Sequence, residues 1–178
     1  MTESVSPPGL LHIYCGDGKG KTTAALGLAL RAAGRGRKIL LLQFLKDGKS
    51  GEFASLSHIP NIETIPQTRA FGFSWTLTPP EKAEAIHYYN SLMETAFSRA
   101  AGFGLLVLDE ALGACSAGML EEARLLELLD ARPKELEVVL TGRGPSQALL
   151  DRADYVTEMK KRKHPYERGV PARPGIEY

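Results

Sequence analysis

LLHIYCGDGKGKTTAALGLALRAAG, residues 10–34, decides how the rest of the chain is read. Its first six residues are an apolar run that reads as a strand. Its last fourteen, 21–34, follow a helical pattern, with Gly34 expected as a left-handed cap. The helix carries small Ala24, Ala25, Ala29, Ala32 and Ala33, which predicts burial nearly all round, close against a sheet. Between strand and helix lies a glycine-rich loop. The pattern G-x-x-x-x-G-K-[ST] finds its last three places in Gly20, Lys21 and Thr22, while its first place falls on Cys15. Such a loop turns backbone N–H groups inward toward a polyphosphate. Gly16, Gly18 and Gly20 permit positive φ and close approach, and the following helix adds the positive end of its dipole. Lys21 would reach the outer phosphates and Thr22 would hold Mg²⁺ through its hydroxyl. The candidate nucleotide-binding set is Gly16, Asp17, Gly18, Lys19, Gly20, Lys21, Thr22 and Thr23. Losing the first glycine is tolerable, because strand geometry can continue one residue further.

Outward from this stretch, short apolar runs alternate with helical patterns. Strands are expected at 38–45, at 62–66, at 105–110, at 136–141 and, edge-like, in DYVTEM (154–159). A long helix is expected over 78–101, with Thr78 as N-cap, Pro79 at its first position and Glu81 closing a capping box. MLEEARLLELLDAR (119–132) is amphipathic, and SQALLDRA (146–153) is a short helix. Such alternation implies right-handed crossovers and a mostly parallel sheet. Ligands of such sheets bind beyond the carboxyl ends of the strands. Four features share that address: the loop at 15–22, Gln43 to Lys46, Asp109 with Glu110, and Thr141 to Gly144. Of the two acids, one can hold Mg²⁺ directly or through water, and the other can bind metal or activate a nucleophile. Arg143, flanked by glycines, can neutralise phosphate charge.

The totals bound the answer. The 178 residues favour one domain over 1–178. With 22 Lys+Arg against 21 Asp+Glu there is no global pull toward nucleic acid or membrane. Cys15 and Cys115 are the only cysteines, too few for a disulfide framework, so a reducing cytoplasm is expected. The start, MTESVSPPG, lacks the pattern of a signal peptide, and no apolar run approaches the ~20 residues of a membrane span.

RAFGFSWTLT (69–78) does not fit a bare nucleotide hydrolase. Phe71, Phe73 and Trp75 alternate in a loop, either as core or interface plugs or as a lid over a large flat ligand. In order along the chain stand GDGKGKTTAA, QFLK, GFSW, LLVLDE, LTGRG, ADYVTEM and the terminal GVPARPGIEY. The sequence resembles the P-loop ATP:corrinoid adenosyltransferases of cobalamin biosynthesis over roughly residues 10–178. That family also lacks the first glycine and reads G-[ND]-G-K-G-K-T-T. The resemblance implies a RecA-like α/β three-layer sandwich, the P-loop NTPase fold.

It also implies an activity: transfer of the 5′-deoxyadenosyl group of ATP to the Co(I) of a corrinoid, with triphosphate leaving whole. ATP would lie reversed along the loop relative to ordinary NTPases. Lys21 and Arg143 would neutralise the leaving triphosphate, and Thr22 and Glu110 would bind Mg²⁺ (or Mn²⁺), with Asp109 behind them. Phe73 and Trp75 would crowd the lower face of the corrinoid and displace its axial ligand, easing reduction of Co(II). A homodimer and an external flavoprotein or reduced flavin as electron donor follow from the same resemblance.

The sequence departs from its relatives in ALGACSAGML (111–120), where they carry bulkier or polar residues, and in having about nine residues before the first strand, so that cover of the site is missing or comes from a partner chain. Cys115 reads as a small buried hydrophobe. The basic run MKKRKHPYERG (159–169) reads as a solvated segment, or as a contact to ATP phosphates or corrinoid carboxamides. His164 and His87 read as surface or structural residues rather than metal ligands. A P-loop ATPase or kinase releasing ADP is the competing function. A nucleic-acid switch is disfavoured by the near-zero net charge.

Overall fold

The computed structural model describes residues 7–46, 51–72 and 74–177. Strands β1 (Leu11–Cys15), β2 (Ile39–Gln43), β3 (Ile62–Thr64), β4 (Leu105–Asp109), β5 (Glu137–Thr141) and β6 (Tyr155–Glu158) form one sheet in the order β3-β2-β4-β5-β1-β6. Every neighbouring pair is parallel. Helices α1 (Lys21–Ala33), α2 (Gly51–Leu56), α3 (Pro79–Arg99), α4 (Ala111–Ser116), α5 (Glu122–Asp130) and α6 (Gln147–Arg152) supply the crossovers.

The period of two along each strand divides the core. Leu40, Leu42, Leu106, Leu108, Val138 and Leu140 face one way, against Tyr89 and Met93 of α3, Leu112 of α4, Leu125 and Leu129 of α5, and Leu149 of α6. Ile39, Leu41, Leu105, Val107 and Val139 face the other, against Ala25, Ala29 and Ala33 of α1 and Leu56 of α2. This is the expected three-layer sandwich. β2 and β4 are buried at every position, which is why both read as unbroken apolar runs rather than alternating ones.

α3 begins as its sequence requires, with the Thr78 N–H donating to Glu81 Oε2 at 2.8 Å. Two expectations for α1 are overturned. The helix is covered on one stripe, Lys21, Ala25, Ala29 and Ala33, while Leu30 is 57% exposed on the other side. Gly34 is right-handed at φ −63°, and the chain turns instead at Gly36, φ +77°. The reversal waits two residues because the N–H groups of Gly34, Arg35, Gly36 and Arg37 still bond back into the last turn. The helices α2 and α4 are additional to those expected; six residues are too few for a periodic signal. Among the described residues, no helix is long and apolar enough to cross a membrane.

Candidate active site

Four of the six strands deliver polar groups to one end of the sheet, and a single carboxylate ties them together. Asp109, at the end of β4, is 1% exposed. Its Oδ1 accepts from the hydroxyls of Thr22 (2.8 Å) and Thr141 (2.6 Å), and its Oδ2 accepts from Gln43 Nε2 (2.7 Å). The start of α1 and the ends of β2 and β5 are thereby bonded to β4. Each partner is a neutral donor, and together they supply the solvation that a buried carboxylate loses.

Glu110 follows in a left-handed conformation, φ +59°. A non-glycine residue there carries strain of order 1–2 kcal/mol. The bond from its N–H to Thr141 Oγ1 (2.9 Å) fixes this geometry. The reversal turns Glu110 out of the strand and into a pocket of about 320 Å³, also lined by Lys19, Lys21, Thr22, Lys46 and Arg143. Burial raises the Glu110 carboxyl above its ordinary value; repulsion from Asp109 adds to this, and Lys21, Lys46 and Arg143 oppose it. Leu45, two residues past β2, shows the same strain at φ +57°.

The glycine loop runs from Gly16 to Gly20 with both ends at positive φ, +107° and +114°. A Cβ at Gly16 would stand 2.4 Å from the Met159 carbonyl oxygen, and one at Gly18 would stand 2.7 Å from it. The reason is a strap. The segment after β6 lies along the loop, with the Gly18 N–H donating to Met159 O (2.7 Å) and the Lys161 N–H donating to Asp17 Oδ1 (2.9 Å). The Gly18 amide, expected among those facing a polyphosphate, is therefore directed to the strap instead. Lys21 arches over the loop, its ammonium donating to Gly18 O at 2.8 Å.

The basic run is largely exposed, as expected of a solvated segment, but it is tied down where it passes the loop. It buttresses the loop, and within it Lys161 pairs with Glu167 at 2.6 Å. His164, expected at the surface, is half-buried and lines the same pocket with Ala172, Ile176 and Glu177. Sequence reasoning missed this wall; the segment after β6 reaches the loop only because β6 pairs beside β1. Cys115 packs against the core, and burial pushes its thiol up to about 12.

A second cavity, about 420 Å³, adjoins the first. Its walls are Leu45, Phe71, Trp75, Leu77, Tyr89 and Met119, with Gly72, Ser74, Gly113 and Ala117. The two hollows meet where Leu45 passes into Lys46 and where Glu110 approaches Gly113; a Cβ on Gly113 would lie 2.8 Å from Glu110 Oε2. The aromatic loop divides its labour. Phe71 plugs the core, its ring 5.6 Å from Tyr88 and 5.7 Å from Tyr89. Trp75 stands 78% exposed at the cavity. The third aromatic, Phe73, lies outside the described residues.

The residues present fit a magnesium ion held mainly by its nucleotide. Among the described residues no group of three or more His, Cys, Asp or Glu forms a cage. The Thr22 hydroxyl and the half-buried Glu110 carboxylate line the same pocket as the phosphate loop, a donor set suited to a hard cation that keeps waters and takes phosphate oxygens.

A parallel sheet whose first strand enters a phosphate loop and whose fourth ends in a buried aspartate has the RecA-like P-loop fold. The fold is similar to that of the KaiC-like protein PH0186 from Pyrococcus horikoshii OT3, with a TM-score of 0.53, 18% identity, and cover of 89% of this chain and 76% of that one. Within this class the sequence is more specific. Residues 8–178 match the model of the ATP:corrinoid adenosyltransferase BtuR/CobO/CobP family, and the chain belongs to that family. It is 36% identical to the corrinoid adenosyltransferase of Pseudomonas aeruginosa over 177 residues, covering 96% of this chain and 84% of that one. It is 32% identical to the corrinoid adenosyltransferase of Escherichia coli K12, covering 96% and 86%.

Proposed function

We propose that the loop, the two acids and the aromatic wall perform, in one catalytic domain, the reaction that defines the family: transfer of the 5′-deoxyadenosyl group of ATP to the Co(I) of a corrinoid. The observation that carries this reading is the junction of two unlike hollows. One is polar, with Lys19, Lys21 and Arg143 beside the phosphate loop, and suits a triphosphate; the other is apolar and fits part of a large flat ring. A hydrolase would have no use for the second.

The order of strands supports the direction in which ATP lies. Lys19, Lys21 and Arg143 follow β1 and β5, whereas Lys46 follows β2, which is separated from β1 by the two strands β4 and β5 and lies next to the apolar wall. With the triphosphate over β1 and β5, the 5′-carbon faces the cavity. The cobalt lone pair of the substrate attacks that carbon, the C5′–O bond breaks, and the bonding electrons leave with triphosphate. No general base is required. Lys21 and Arg143 lie where they neutralise the departing charge, and the N–H groups and dipole of the α1 terminus add to this. Thr22 and Glu110 would hold Mg²⁺, which supplies further neutralisation of the phosphates when bound. Asp109 keeps the Thr22 hydroxyl aimed. Trp75, with Phe73 as the second aromatic of the family motif, excludes water and offers cobalt no replacement ligand. This apolar wall raises the fraction of four-coordinate Co(II), which is more easily reduced.

The remaining parts of the reading are a homodimer, an external flavoprotein or reduced flavin as electron donor, and a cytoplasmic setting, to which the two unpaired thiols Cys15 and Cys115 are suited. The test is anaerobic incubation with Mg·ATP and chemically reduced cob(I)alamin, followed by visible spectrum and phosphate analysis. Light-sensitive adenosylcobalamin with intact triphosphate is expected. ADP and phosphate without a corrinoid change would assign the loop to an ordinary ATPase.

A further inference from the structure

The acids around the phosphate pocket differ in what they already hold. Asp17 accepts the Lys161 N–H, and Glu177 is gripped through both oxygens by the Arg173 guanidinium (3.0 and 3.1 Å). Glu110 lines the same pocket as Thr22 and is the candidate metal ligand. Glu52 is different. It sits in the first turn of α2 and lines the same pocket, yet among the described residues its enclosed Oε2 has no hydrogen-bond partner. An enclosed carboxylate oxygen with no donor is unfavourable, so its position points to a donor that arrives with a ligand.

The pocket itself indicates which donor. Lys19, Lys21 and Arg143 mark the phosphate end over β1 and β5, while Glu52 lies on the chain leaving β2, six residues beyond Lys46. A carboxylate repels phosphate oxygens and accepts from neutral hydroxyls. On a nucleoside triphosphate, the hydroxyl-bearing group next to the phosphate chain is the ribose. We propose that Glu52 accepts hydrogen bonds from the ribose hydroxyls of bound ATP, and so both selects ribonucleotides and fixes the sugar whose 5′-carbon reacts. The inference rests on the adenosyl-transfer reading for the direction of ATP along the pocket.

The experiment is calorimetric titration of the wild-type chain, Glu52→Ala and Glu52→Gln with ATP, 2′-deoxy-ATP and 3′-deoxy-ATP, at saturating Mg²⁺. The wild type is expected to bind ATP roughly tenfold or more tighter than at least one deoxy analogue, from the strength of a hydrogen bond to a charged acceptor. Glu52→Ala is expected to bind all three alike, by losing affinity for ATP and little for that analogue. Glu52→Gln, which keeps an acceptor oxygen and the packing, gives an intermediate ratio and serves if the alanine variant does not fold. A wild type that does not discriminate would overturn the proposal, as would variants that keep the full ratio or lose affinity equally for every nucleotide. A raised Mg²⁺ requirement with the ratio intact would make Glu52 a metal ligand instead, and also overturn it. The titration needs no corrinoid. A chain that fails to make adenosylcobalamin yet loses ribose discrimination with Glu52 would refute the transfer reading alone.

Discussion

At the scale of single residues the site is governed by two adjacent carboxylates with opposite circumstances. Asp109 is satisfied by three donors, and Asp109→Ala strands the hydroxyls of Thr22 and Thr141 and the amide of Gln43 around a void. Such a loss is expected to cost about 3 kcal/mol or more in denaturant unfolding, together with weaker Mg·ATP binding as Thr22 loses its orientation. Glu110 is the reverse case. Its carboxyl is raised, by burial first and by Asp109 second, so the folded chain holds this proton more tightly than the unfolded chain does. Stability is therefore lost as pH rises from the ordinary glutamate value of 4.5 through the raised one, and the loss is complete above it. Glu110→Gln is expected to remove this slope and to raise the thermal midpoint of the nucleotide-free chain at neutral pH, while abolishing metal-dependent transfer. A variant that is destabilised at neutral pH would contradict the assignment. Metal affinity in the wild type should fall as pH drops through the same range, because the ion needs the ionised carboxylate.

Among the elements, the phosphate loop and its helix make opposite demands on glycine. Gly16 has positive φ and no room, with Met159 O 2.4 Å from where a Cβ would stand. Gly16→Ala is expected to displace the strap or the loop and to weaken ATP binding at least tenfold, read by equilibrium titration. Gly27, exposed in the middle of α1, has open space around it. Gly27→Ala is expected to stabilise the chain by about 0.5–1 kcal/mol in chemical unfolding without altering nucleotide affinity. The pair separates loop geometry from helix propensity within a dozen residues.

For the whole molecule, the proposed reaction uses two adjoining hollows, and Trp75 lines only one of them. Its side chain is largely exposed, so Trp75→Ala is expected to leave the unfolding midpoint and ATP affinity near wild type. Adenosylation should fall much more when cob(II)alamin must first be reduced than when pre-reduced cob(I)alamin is supplied. Equal loss in the two assays would remove Trp75 from the reduction step.

Much of this is legible in the amino-acid sequence. The strand, loop and helix of residues 10–34, the buried strands and the polar ends of β1, β2, β4 and β5 follow from local periodicity and from the rule that parallel sheets bind at their carboxyl edge. Local signals also specify the Thr78 cap, because a capping box closes within three residues. What needs the tertiary structure is whatever joins residues far apart in the chain. No spacing announces that Asp109 gathers Thr22, Gln43 and Thr141, that the segment after β6 straps the loop, or that Phe71 turns inward while Trp75 stays out. The one-sided burial of α1 and the turn at Gly36 escape the sequence for the same reason, since composition cannot say which neighbour arrives. Sequence by itself determined the elements and the chemistry each carries, because propensity, capping and side-chain type act over a few residues. Only the tertiary structure decided which groups meet, which acid keeps an unanswered oxygen, and where the two hollows join, because those depend on strand order.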